Sequence, residues 1–374
     1  MMELLTPDRC HPDALHLISA GITVDFIREM TTTSNRIPSL RIPRAAIAAL
    51  GRALERTRCH TYASRFILGI DELSRMTASE KDELMFILFP LVAAQRLCSE
   101  DTASCCLLVY WLLIHVLVDG SHHPDVVRGI KNVAQILKKL CQQVSKKFFT
   151  LKFHVLIDHA IEEDLQQCGS PYQWSSSPFE SAHRRLQLRI VQSTTNCEEA
   201  IVKNFIMRKE LFAKLNREAS TAPHPVLTRL QTKLANEALN RSRVTNGYTT
   251  FSSSIYWPRM RDTTQNCVYL MKDDGSDAFG RILVFAFDEL RNDSVVLFEE
   301  FVTRDPFVGL ADAICQGNSP AKARALNALF LVRTANTYFK EFTGDVRVTL
   351  HPLKDIHSPA MLVSLGQTTY ICRS

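Results

Sequence analysis

Residues 105–118 of the chain read Cys-Cys-Leu-Leu-Val-Tyr-Trp-Leu-Leu-Ile-His-Val-Leu-Val, 14 residues whose only strongly polar member is His115. No amphipathic stripe runs through them, so a helix here has no face to give to water and belongs at the centre of a bundle. A bilayer span needs roughly 20 such residues, and Asp119-Gly120-Ser121-His122-His123-Pro124 breaks the run. Its surroundings are helical by period: residues 45–54 are rich in Ala, and residues 80–97 carry Leu84, Phe86, Ile87 and Leu88. The expectation is a helical core built around 105–118.

The period changes near residue 246. Residues 248–257, 267–271, 281–287, 295–301, 345–350, 361–365 and 368–372 are β-branched and aromatic runs, bounded by turns such as Asp273-Asp274-Gly275 and Asn292-Asp293. Residues 311–325 read as a loop with a short helix. The predicted fold class is α+β: a mainly helical N-terminal region followed by a small β-rich, barrel-like domain. The boundaries expected are 1–220, a helical linker at 221–245, and 246–374. A length of 374 residues suits two domains. The 11 Cys are scattered with no CxxC pair, the usage of reduced intracellular thiols. The N-terminus lacks a basic segment followed by an apolar core, so no signal peptide and no membrane partner are expected.

Formal net charge is only +5, so an anionic partner requires clustering. Arg128, Lys131, Lys138, Lys139, Lys146, Lys147 and Lys152 occur with no acid between them, while Leu137, Leu140 and Val144 keep one face apolar. A solvated helix face is the plain reading; a phosphate-tracking surface is the sharper one. A second basic series begins at His183, Arg184 and Arg185. Just before it, Ser177-Pro178-Phe179-Glu180 reads as N-cap, first helical position and first-turn acid. Glu180 is thus either a cap residue or a catalytic carboxylate displayed at a helix start. Asp13 and His16, three apart, share one face if helical. There is no GxSxG elbow, no Walker A loop and no GxGxxG. Glu180 and His183 form a single ExxH, and a di-iron bundle needs two.

In order along the chain, these pieces resemble the C-terminal half of a CACTA-type DNA transposase. Asp13-Ala14-Leu15-His16 is similar to that family's DxxH motif, and a long helical insertion follows. Residues 152–159 resemble its K-x-H-x-L-x-H-like strand. Phe179-Glu180-Ser181-Ala182-His183 resembles its F-E-x-x-[HN] block, and residues 246–374 its β-rich tail, with Ser254-Ile255-Tyr256 and Gly280-Arg281-Ile282 as recognisable points. The resemblance implies an RNase H-like (DDE) core with Glu180 as third acid and Asp13 and His16 in support. In such sites three carboxylates hold two Mg²⁺ ions about 4 Å apart. The family's first two Asp lie upstream of the DxxH, and this chain starts twelve residues before it. The expectation is therefore a transposon-derived, nuclear protein that is inactive alone and retains DNA binding through Lys138, Lys139, Lys146, Lys147, His183, Arg184 and Arg185. Other transposon-encoded chains are possible partners. The alternative is a structural or protein-interaction protein without a nucleic-acid role.

Overall fold

The structure is a computed structural model that describes residues 13–32, 36–57, 70–120, 123–176, 243–246, 249–252, 267–288, 293–316 and 319–373. It is an α+β molecule: helices through residue 174, then a closed six-stranded antiparallel barrel.

The apolar run lies inside helix α4 (Asp101–Asp119), which is flanked by α3 (Ala78–Ala94) and α5 (Pro124–Val144). At 19 residues α4 is long and apolar enough to cross a membrane by length and composition, yet residues 103–115 are all buried in the bundle. Gly120, at φ +66°, takes the left-handed conformation that ends it. A capping box starts α3: the Glu80 N–H donates to Thr77 Oγ at 3.3 Å and the Thr77 N–H to Glu80 Oε2 at 2.6 Å.

Pro90 lies inside α3. It has no N–H to give the Phe86 carbonyl four residues back. The indole N–H of Trp111 supplies that donor at 3.0 Å, and the Cys372 thiol approaches the same oxygen at 3.6 Å. The kink-prone point of α3 is thus closed by α4. One turn beyond Trp111, the His115 ring stacks between Phe86 and Tyr338, 4.0 Å from each ring centroid.

Before these come a wide, π-type helical segment (Leu15–Ile22), α1 (Thr23–Thr31) and α2 (Arg44–Arg56). After them come α6 (Leu151–His154), a second wide segment (Val155–Asp164) and α7 (Leu165–Cys168). The strand expected at 152–159 is therefore a helix. Phe153, Val155 and Ile157 mimic strand alternation, but the buried set is Phe153, Leu156, Ile157, Ala160, Ile161 and Leu165. Three- and four-residue steps are a helical face.

Strands β1 (Arg243–Asn246) and β2 (Thr249–Ser252) form a separate hairpin, so a strand stands where the end of the helical linker was expected. The barrel comprises β3 (Cys267–Met271), β4 (Asp277–Asp288), β5 (Asp293–Arg304), β6 (Phe339–Pro352), β7 (Ile356–Leu365) and β8 (Thr368–Arg373), in the order β3-β4-β5-β6-β8-β7. Gly280 of β4 is sterically required: a Cβ there would meet the Glu299 carbonyl at 2.2 Å and the Phe298 ring at 2.6 Å.

Between β5 and β6 lie two helices, α8 (Val308–Cys315) and α9 (Pro320–Ala335), where a loop with a short helix was expected. Ser319 caps α9, accepting the Lys322 N–H at 3.2 Å, with Pro320 at the first position. Leu310, Ile314, Ala328, Leu329 and Val332 belong to the helical core, as do Phe339, Met361, Val363, Tyr370 and Cys372 from the barrel wall. One side of the barrel wall thus joins the helical core, while Val268, Leu270, Ile282, Val296 and Phe298 form a separate cluster within the barrel. A hydrogen bond from Tyr338 Oη to Asp119 Oδ2 at 2.6 Å adds to that junction.

Candidate functional site

The DxxH motif stands at the entry to the first wide helix. Asp13 Oδ1 accepts the Leu15 N–H at 3.2 Å, and Oδ2 lies 2.6 Å from His16 Nδ1. The carboxylate also reaches across the chain: the Ser176 N–H donates to Oδ1 and the Ser176 hydroxyl to Oδ2, both at 2.8 Å. Burial raises the Asp13 pKa. The hydrogen bonds from the Ser176 backbone, His16, the Ser176 hydroxyl and Leu15 outweigh it and leave Asp13 below its ordinary value, hence ionised at neutral pH.

Ser176 stands four residues before Glu180 in the sequence. The segment leading there is held at further points. Ser170 Oγ donates to the Leu117 carbonyl near the end of α4 at 2.5 Å, and Gln173 Nε2 donates to the Gly120 carbonyl at 3.5 Å. Tyr172 Oη donates to Asp82 Oδ2 at 3.4 Å. Residues 170–176 are thus fixed by the wide helix, by α3 and by the end of α4. Glu180, His183, Arg184 and Arg185 lie outside the described residues.

Asp82 is the second unusual acid. It is 9% exposed, accepts the Ser19 hydroxyl at 2.6 Å on Oδ2, and has no hydrogen bond on Oδ1 among the described residues. Burial pushes its carboxyl up to about 7, against the hydrogen bonds from Ser19 and Tyr172 and the charge of Lys81. Nothing in Glu80-Lys81-Asp82-Glu83 advertises this, because that run reads as a solvated helix start.

Glu180, the carboxylate expected to hold a divalent ion, lies outside the described residues, and the structure describes only the supporting Asp13, with its two carboxylate oxygens. Both are filled by N–H and O–H donors, and among the described residues no group of three His, Cys, Asp or Glu is arranged to hold a metal. Asp13 and His16, expected beside that site, are held by Ser176 and by each other. Their geometry fits a clasp.

The basic series of residues 128–152 divides in two. Lys138 Nζ pairs with Asp158 Oδ1 at 2.5 Å, and His154 Nδ1 is 2.7 Å from Oδ2 of the same acid. Lys138, then burial in the opposite sense, then His154 set the Asp158 pKa, which comes out lowered. Lys131 Nζ donates to the Glu162 carbonyl at 2.6 Å. The helix after the basic run thus returns the acids that the run itself lacks. Lys139, Lys146, Lys147 and Lys152 remain exposed and take part in no ion pair among the described residues. No family model, curated protein or solved structure matches the chain.

Proposed function

We propose that this chain is a transposase-derived protein, with a core descended from an RNase H-like catalytic domain, that binds duplex DNA and does not cut it alone. The observation that carries the binding half is the separation of the basic series. Lys138 is spent on Asp158, whereas Lys139, Lys146 and Lys147 stay exposed to solvent. Fixed, exposed cations suit phosphate contact, and phosphate contact gives affinity without sequence choice.

Duplex affinity is expected to fall steeply with salt. Reversing Lys139, Lys146 and Lys147 together to Glu is expected to lower the log–log salt slope by about 3, since each lost phosphate contact removes roughly one released counterion. Binding titrations at several salt concentrations measure this, and an unchanged slope would remove the patch from consideration. Lys138 is left out of the set because reversing it would abut two acids. With Mg²⁺ added, the protein alone is expected to leave DNA ends uncut and unjoined. Cleavage that Glu180→Gln abolishes would instead make the chain an enzyme.

One observation favours a second reading, a protein-interaction role. β6 pairs with β8 only over residues 339–342, and Val346, Val348 and Leu350 beyond that point are 46%, 63% and 54% exposed. Recovery of a specific protein partner, insensitive to nuclease and lost in Val348→Lys, would favour it.

A further inference from the structure

Among the exposed large apolar side chains of the described residues the extreme case is Leu151, at 78%, and Phe149 is exposed by 37%. Both lie in residues 145–153, which read Ser-Lys-Lys-Phe-Phe-Thr-Leu-Lys-Phe. The same stretch carries Lys146, Lys147 and Lys152, so bare apolar groups and cations alternate along a few residues of surface.

The stretch is held rigidly. Phe148, 6% exposed, anchors it in the core. Ser145 Oγ accepts the Lys147 N–H at 3.2 Å, and Thr150 Oγ accepts the Phe153 N–H at 3.3 Å. The Phe149 N–H closes a tight turn on the Lys146 carbonyl at 3.1 Å. The Phe149 ring leans on that of Phe153, centroids 5.4 Å apart and planes at 74°, so its free face is presented in one orientation. Two acids, Asp25 and Glu29, border a cleft that Lys147 also lines, and Glu29 is taken up by Arg36 at 2.8 Å. The stretch remains net cationic.

Phosphate contact alone explains the lysines and leaves Phe149 and Leu151 unexplained. In a duplex the base faces are stacked on one another and offer an exposed ring nothing to cover. In a single strand those faces are open, and stacking on an aromatic ring beside lysines is the recurrent way to hold them. We infer that residues 146–152 form a platform for single-stranded DNA, with Lys146, Lys147 and Lys152 on phosphates and a base over Phe149 flanked by Leu151. The inference rests on the DNA-binding reading above and narrows it to an unpaired strand.

The test uses the full chain and three probes: a labelled oligo-dT, a duplex of equal length, and vesicles containing phosphatidylserine. Wild type is expected to bind oligo-dT. Phe149→Ala is expected to weaken that binding roughly tenfold, the worth of one base stack, Phe149→Trp to restore it, and duplex affinity to stay within about twofold. Leu151→Ser, at an open position, repeats the measurement should Phe149→Ala unfold. Absence of oligo-dT binding, equal affinity of wild type and both truncations, or binding to vesicles but not to oligo-dT would each overturn the inference. Oligo-dT binding without duplex binding would overturn the duplex reading and leave this one standing.

Discussion

Trp111→Ala is expected to lower the stability of the fold by about 5 kcal/mol, a third or more of what a native domain typically has to lose. Two costs add. Removing a fully buried indole from the centre of α4 leaves a cavity, and the Phe86 carbonyl loses the donor that replaces the missing N–H of Pro90. Trp111→Phe separates them: it keeps most of the volume and is expected to cost about 2 kcal/mol, the worth of a buried carbonyl left with only the weak thiol donor of Cys372. Adding Pro90→Ala restores a backbone N–H four residues after Phe86, so the double variant should recover over half of that loss. Chemical denaturation of wild type, Trp111→Phe, Pro90→Ala and the double variant gives the coupling. A double variant no more stable than Trp111→Phe would show that the indole contributes through packing alone.

Asp82→Asn is expected to stabilise the protein at pH 8 by roughly 1–3 kcal/mol. The folded-state pKa of Asp82 is raised from 3.8 to about 7. The folded state therefore holds this proton across a range where the unfolded chain has released it. The sign follows: stability is fully present below the unfolded value, falls as pH rises towards 7, and by pH 8 has lost about 4 kcal/mol on this account. Asn stays neutral throughout, and Ser19 and Tyr172 can still donate to its oxygen. Its amide faces the oxygen position that has no partner among the described residues, which takes back part of the gain. Thermal melts of both proteins at pH 5 and pH 8 measure the difference. A gain equal at both pH values would mean that Asp82 is ionised in the fold. His115 acts oppositely. Burial, then the charge of Arg373, holds it well below 6.5, so its contribution is present above 6.5 and lost as pH falls below that value.

The centre of the fold was legible because residues 105–118 allow a helix only one environment. The strands were legible wherever both faces of a run are β-branched or aromatic, and β3 matches its expected limits. What failed was local ambiguity settled by distant partners. Residues 152–159 alternate like a strand, and only their packing against α5 and the first wide helix selects the helical alternative. α9 shows a Ser-Pro start and a run of Ala, both helix signals available to read, and α4 covers its apolar face. At the candidate site the DxxH was visible and its partner was not. A carboxylate at residue 13 gives no sign that it will be met by a serine 163 residues later. The same holds for Lys138, whose charge is cancelled by Asp158 across a helix turn that no spacing rule reveals.

The two helices inserted between β5 and β6 impose an order on folding. β5 ends at Arg304 and β6 begins at Phe339, so the most extensive strand pairing in the barrel joins segments separated by a long excursion. Bringing such ends together costs loop-closure entropy before any ladder hydrogen bond forms. Docking α8 and α9 on α4 shortens that excursion to a turn at each end, with Asp305 and Arg333 hydrogen-bonded at its base. The helical half then acts as a template that delivers β6 to β5 in register. Barrel closure is therefore expected to be the late step of folding, and in stopped-flow refolding a change that slows helix docking should slow barrel formation without touching a strand.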